Sequence, residues 1–459
     1  MTHGGAPSEG EAPGAGGAVG TPAPLEGSGA ADHLPPVLKQ RNFSALWWGQ
    51  LISILGERLT YLALVGLLAE HSSHFADTRS SSWLLWMLGN VMLAPVLLFA
   101  PFTGAWVDRS NLKHVLITSD TLRGILVALI PVLYVMTEHT LPVYVIVFLL
   151  FTCNVIFLPA KSAITPELVV PGQLLSANAL LAAAGIVATG IGAPLGGWVV
   201  DHWGWGTALY INAFTYGVSV IALALIAYRG HAHADGTPDV SVGKYMHEVA
   251  EGWKLVRSST PVGVALIALG AVWMGGGFLH VAGNQHIQRA ASVPGMERLG
   301  ILITVLGVGA GLGTWWVNTR GRKIRAPVLL GAGLLLVSVG LIAFAVSSRF
   351  AVFAIAGFII GLSAAPAFVL SETLLQTGTS SRQRGRVFSA RDFMMRLLLF
   401  LSGTLAAWVT NGWGTRNAIL TSAALVALAG IVTVLYGRRT SIPAMPDRAS
   451  PAPQDPTAF

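Results

Sequence analysis

Charge is what this chain has least of. Asp, Glu, Lys and Arg make up 11% of its 459 residues while 53% are hydrophobic, and an average soluble domain carries about 25% charged residues. That imbalance excludes an ordinary soluble fold. Cysteine is nearly absent as well: Cys153 stands alone, so no intrachain disulfide can form. No serine, histidine and acid constellation stands out, nor a metal-ligand cluster, nor a phosphate loop ending in Gly-Lys. Gly309 and Gly313 sit deep in an apolar run and read as helix-packing residues. An enzyme is therefore not expected, and neither direct ATP hydrolysis nor any cofactor is implied.

Long apolar runs are what the chain has in quantity. Runs of about 20 residues, the length that crosses a bilayer, occur at 43–69, 83–107, 115–137, 142–163, 173–200, 207–228, 261–283, 299–317, 326–346, 351–375, 388–410 and 416–436. They predict an all-α membrane protein of twelve transmembrane helices. The stretch from Trp106 to Lys113 (WVDRSNLK) returns in altered form from Trp316 to Lys323 (WVNTRGRK), 316 − 106 = 210 residues later. Such a repeat splits the chain into two six-helix bundles, 39–228 and 261–437, and duplicated bundles of this size are characteristic of transporters. The expected working unit is a monomer.

Positive charge is distributed unevenly over the connections. If both termini are cytoplasmic, the outer connections hold only Arg79, Arg289, Arg298, Arg349 and Arg416, and the inner ones hold Lys39, Arg41, Arg109, Lys113, Lys161, Arg320, Arg322, Lys323 and Arg325 among others. The positive-inside rule then places both termini in the cytoplasm of a cell-membrane protein. The net charge of +7 reflects that topology, and no nucleic-acid partner is implied. Residues 1–38 and 438–459 are poor in residues that could form a core and are expected to be disordered cytoplasmic tails; no cleavable signal pattern is read at the start. Between the bundles, 229–260 reads as a cytoplasmic linker. Val242, Tyr245, Met246, Val249, Trp253 and Val256 recur in it at helical spacing, as in an amphipathic helix lying at the interface.

Polar residues inside apolar runs need a reason. Glu57 lies about 14 residues into the first run, near mid-membrane at 1.5 Å per residue. Gln50, Ser53, Glu57, Thr60 and Tyr61 recur at steps of three and four, which makes a polar stripe facing a central cavity. Three readings of Glu57 stand together: a carboxylate that couples transport to protons, half of a fixed ion pair with Arg58 or Arg123, or a contact to substrate. Asp120, Arg123, Asn154, Asn212, His280 and Asn284 are further intramembrane polar residues, and Gln50, Ser53, Arg58, Tyr61, Asn154, Asn212, His280 and Asn284 are the candidates for lining the cavity and contacting substrate. Asn154 and Asn212 suit either substrate hydrogen bonds or bonds between helices. His280 lies toward the outer end, as a titrating group or simply a hydrated one. Glu372, Arg386, Arg391, Asp392 and Arg396 form a charge cluster read as a cytoplasmic gate.

Gly104, Asp108, Arg109 and Lys113 resemble the signature loop between helices 2 and 3 of the major facilitator superfamily, over essentially Arg41 to Arg439. The stretches Asn42–Gly56, Pro159–Leu180 and Thr373–Ser389 are similar to the branch that contains enterobactin and macrolide exporters. The resemblance implies that Asp108 latches the two halves on the cytoplasmic side, against the start of helix 11 near Ser389. Arg109 and Lys113 serve that latch or simply enforce topology. Asn111 and Leu112 depart from the family's Gly and Arg, and Asn tolerates the left-handed backbone expected there. Gly185, Gly190, Gly192, Pro194, Gly196 and Gly197 resemble the glycine-proline signature of the superfamily's antiporters, with Pro194 one place late. Glu57 stands where the family commonly has Asp. The implied activity is secondary active export of an amphipathic small molecule, such as a macrolide-like drug or a siderophore, in exchange for protons by alternating access. A lysophospholipid flippase of the same superfamily is the alternative, and a non-transporting membrane sensor a third.

Overall fold

The computed structural model describes residues 36–74, 78–107, 109–170, 172–228, 260–290, 295–321, 324–377 and 381–438, with a few isolated positions between them. The described residues are helical almost throughout. Lipid offers no partner for backbone N–H and C=O groups, so an apolar chain crossing it must satisfy them within each helix. In the N-terminal half run α1 (Arg41–His74), α2 (Thr78–Val107), α3 (Leu112–Thr137), α4 (Leu141–Ile164) and α5 (Leu174–Ala224). The C-terminal half holds α6 (Thr260–Phe278), a π turn (Leu279–Gly283), α7 (Asn284–Ala290), α8 (Met296–Thr319), α9 (Ala326–Val346), α10 (Phe350–Thr377) and α11 (Ser381–Arg438). Among the described residues, ten helical runs are long and apolar enough to cross a membrane.

Two of those runs are far too long for one crossing. At 1.5 Å per residue, the 51 residues of α5 and the 58 of α11 would each reach well beyond the roughly 30 Å of a hydrocarbon core. Each breaks once: at Gly204 (φ 82, ψ 160) in α5 and at Gly414 (φ 85, ψ 165) in α11. A side chain would strain that backbone, so glycine is required at both turns.

The signature connection is built differently from the sequence expectation. Asn111 is extended (φ −68, ψ 109), not left-handed, and its side-chain oxygen accepts from the His114 N–H at 3.2 Å. It is an N-cap, the use for which asparagine is well suited, so no left-handed residue is needed there. Lys113, two residues on, donates to the carbonyls of Ala224 and Ile226 at 2.8 and 2.7 Å. A cation thus closes the C-terminal end of α5, where orphan carbonyls and the helix dipole favour positive charge.

Asp108 lies outside the described residues, as do the side chain of Arg386 and both terminal tails. Most of the expected amphipathic linker helix lies outside them too; the isolated positions described within it, among them His247 and Trp253, are helical.

Candidate functional site

The site begins on α1, which packs along α5. Gly192 and Gly196 permit that contact: a Cβ on Gly192 would meet the Leu55 carbonyl at 3.1 Å, and one on Gly196 the Leu59 backbone at 3.0 Å. On the other side of α1, Gly56 lies against Asn212, whose amide donates to Thr60. Glycine lets helices approach where no hydrophobic force drives them together.

This packing brings Glu57 to Arg123 of α3. The Arg123 guanidinium donates to Glu57 Oε1 at 2.9 Å and to Asp120, and reaches Asn154 of α4 at 3.4 Å. Ser219 donates to the other oxygen of Asp120 at 2.6 Å, and Tyr216 reaches Glu57 at 3.4 Å. The rings of Phe157 and Tyr216 lie 4.3 and 4.7 Å from the guanidinium carbon, so aromatic faces hold the cation where water is excluded. Asp120 and Arg123 are sealed, but the Glu57 side chain keeps 31% of its surface. One arginine therefore serves two carboxylates, only one of which is reachable. Of the sequence readings the pair with Arg123 is present, and it does not close Glu57 off. Lys161 joins the edge of this cluster, donating to Gln50 at 3.3 Å with Glu57 within electrostatic reach.

One turn beyond Glu57, Tyr61 lines a cavity of about 270 Å³ between the halves. Its walls are mainly apolar, from Trp86, Met92, Leu93, Val281 and Leu399, with Asn90 and His280 as polar points. His280 is half-buried and faces this cavity. Its Nε2 lies 3.2 Å from the Leu85 carbonyl, which only a donor can satisfy, so Nδ1 accepts from the Tyr61 hydroxyl at 3.1 Å. Asn284 and Asn212 face helix partners and are buried, Asn284 donating to the His280 carbonyl at 2.6 Å. Ser53 is buried with an unpartnered hydroxyl.

The halves close over this cavity at the end where α2 and α8 begin. Trp86 donates to Thr404 at 2.8 Å and Ser82 to Gln285 at 3.2 Å. Asp201, just before the α5 break, accepts from the N–H groups of Met296 and Glu297 at 2.8 and 2.9 Å. It caps α8 from the opposite half, where orphan N–H groups and the dipole favour an anion. Added Cβ atoms on Gly197 and Gly300 would collide with the backbone at Met296 and Ala193 respectively. Thr304 donates to the Gly190 carbonyl at 3.0 Å. One turn further along, the two helices part: Ile186 is 72% exposed, and Cβ atoms on Gly185 or Gly307 would meet nothing within 4 Å. The glycines of the expected α5 signature thus divide by depth, packed toward the closed end and free toward the other.

At the open end, Arg391 pairs with Glu372 at 2.6 Å and with Asp392 at 2.8 Å, over the Phe388 ring at 4.5 Å. Sequence reasoning identified Glu57 and Arg123 but did not join Tyr216, Ser219 and Phe157 to them. Tyr216 and Ser219 are three apart in one apolar run, and that spacing was the available signal.

Residues 46–331 match the family model of the Major Facilitator Superfamily. Macrolide efflux protein A of Streptococcus pyogenes is 22% identical, covering 85% of this chain and 95% of its own. An MFS-type transporter of Mycobacterium tuberculosis is 23% identical over 87% of this chain and 92% of its own. The solved structure of a bacterial homolog of the human lysosomal transporter Spinster, inward-facing and unoccupied, shares the fold with a TM-score of 0.66 at 13% identity, over 88% of this chain and 97% of that one. The chain belongs to the Major Facilitator Superfamily and is a multi-pass membrane transporter, not an enzyme.

Proposed function

We propose that this transporter is a secondary active exporter that moves an amphipathic small molecule out of the cell in exchange for protons, working as a monomer. Counting the arms on either side of Gly204 and Gly414 separately supports twelve spans in two six-helix bundles, and the bias of positive charge over the connections supports cytoplasmic termini. In that orientation the closed end faces outward and the conformation is open to the cytoplasm. Cargo would enter the mainly apolar cavity between the halves, which suits an amphipathic molecule held by a few polar points. Rocking of one bundle against the other would then exchange the closed end. Asp201 would hold the outer closure and Asp108 the inner one, with the Arg391, Glu372 and Asp392 cluster taking part at the cytoplasmic gate. The efflux-type relative supports export over import.

The observation that carries proton coupling is the single buried Arg123 between two carboxylates of unequal access, 0% for Asp120 and 31% for Glu57. Arg123 is neutralised by Asp120 alone, so Glu57 can take a proton without leaving a buried cation unpaired, and it is the acid that water reaches. One proton falling through 100 mV releases about 2.3 kcal/mol, enough for a gradient of roughly fiftyfold.

The test is proton release from energised everted vesicles on adding a panel of macrolides, dyes, siderophores and lysolipids, with the native chain and Glu57→Gln. Release triggered in the native chain alone is the expected result. Equal release in both makes Glu57 structural, and lipid movement that persists without any gradient transfers the assignment to a flippase.

A further inference from the structure

Arg58 is the intramembrane cation that this site leaves over. It lies 58 − 41 = 17 residues into the 34-residue α1, about 25 Å from either helix end at 1.5 Å per residue. Its side chain is far too short to snorkel to an interface from there. Arg123 has Glu57 and Asp120, and Lys161 has Gln50 with Glu57 within reach. These two cations and two carboxylates sum to zero. Arg58 adds one positive charge, and no carboxylate among the described residues pairs with it. Its Nε is buried and has no hydrogen-bond partner.

The local structure makes room for this residue. A Cβ on Gly192 would come within 3.2 Å of the Arg58 Cβ, so glycine at that position lets the stem pass between α1 and α5. Three residues on, Tyr61 lies on the same face of α1 and lines the cavity. Arg58 is not itself one of the residues lining the cavity but lies one helical turn from Tyr61, which is, and an uncompensated cation at mid-membrane marks a binding site for negative charge.

We infer that Arg58 anchors an anionic group of the cargo, so that the substrates are amphipathic organic anions bearing a carboxylate, sulfonate or comparable group. This rests on the reading that the chain transports an amphipathic molecule through this cavity. A guanidinium binds such groups through paired N–H donors, while the apolar walls take the rest of the molecule. A cationic cargo would leave Arg58 without a partner and add a second positive charge.

Two xanthene dyes of opposite charge, fluorescein and rhodamine 6G, test this by tryptophan quenching of the purified full chain, since Trp86 lines the cavity. Fluorescein is expected to bind about tenfold more tightly than rhodamine 6G, and Arg58→Met to remove that preference. Arg58→Lys keeps the charge and should keep most of the preference with an unchanged melting temperature. No preference in the native chain, or an unchanged preference in Arg58→Met, overturns the inference. Equal loss in Arg58→Met and Arg58→Lys with lowered melting temperatures in both makes Arg58 a packing residue and overturns it too. Binding is read without a gradient. Anion preference without proton release therefore refutes coupling alone, while proton release triggered only by cationic or neutral compounds refutes the anion assignment alone.

Discussion

Gly204 and Gly414 hold the same unusual backbone, φ 82 with ψ 160 and φ 85 with ψ 165, at positions 414 − 204 = 210 residues apart. The same interval separates their tryptophan neighbours. Trp198 and Trp203 meet edge to face at 5.1 Å and 71°, and Trp408 and Trp413 do so at 5.4 Å and 73°. One turn geometry is thus preserved in both halves where side chains elsewhere have diverged. A left-handed glycine fixes the chain direction and an aromatic pair packs the corner.

Replacing either glycine by alanine should therefore cost a similar amount, about 1–3 kcal/mol for a residue forced into this region. Gly217→Ala is the control, since its added methyl group would meet nothing within 4 Å. Melting temperatures of the purified variants are expected to fall for Gly204→Ala and Gly414→Ala and to hold for the control. A fall at one glycine only would break the equivalence of the two turns.

The two carboxylates on Arg123 should respond differently. Asp120→Asn leaves a sealed arginine with a weakened partner, and loss of a buried charge partner costs about 3–5 kcal/mol. Glu57→Gln leaves the Asp120 pair intact and should fold with near-native stability while losing substrate-triggered proton release. Thermal melts separate the two variants, and similar melts with similar flux would mean that both acids are structural.

The helical membrane character was legible because apolar runs of bilayer length are a local property of sequence. The breaks were legible too: Gly204 and Gly414 fall in the gaps left between predicted segments. Asp201 was not. Read locally it is a charge in a short connection, and its role depends on Met296, 95 residues away. Lys161 was read as a cytoplasmic cation near the end of an apolar run, and its hydrogen bond to Gln50, 111 residues away in sequence, depends on how the fold places α4 relative to α1. Asn111 was read for its tolerance of left-handed backbone, and its capping bond to His114 depends on where α3 begins.

Asp201→Ala should loosen the closed end without unfolding either half. Loss of an N-cap is worth about 0.5–2 kcal/mol, which shifts a two-state equilibrium roughly two- to thirtyfold. Spin labels beside the α5 break and at the start of α8 should report a larger population of long distances in Asp201→Ala, with Asp201→Asn intermediate because asparagine also caps. An unchanged distance distribution would remove Asp201 from the closure.

The glycines of α5 and α8 give a position-dependent test of the same movement. At Gly197 and Gly300 a methyl group would strike backbone of the opposite half, which cannot swing aside as a side chain can. Gly197→Ala and Gly300→Ala should therefore disfavour the closed end and trap the outward-open form. Gly185→Ala, with nothing within 4 Å in the present conformation, should leave this state unchanged and be felt only if the cytoplasmic ends of α5 and α8 come together. Thiol labelling of a cysteine introduced at the outer end, on a background lacking Cys153, should rise in the first two variants and stay at the parental level in the third. On the proposed alternating-access cycle, export should fall in all three, since each glycine would then be needed at close approach in one half of it. Loss of export confined to Gly197 and Gly300 would mean that the cytoplasmic closure does not use the α5 and α8 contact.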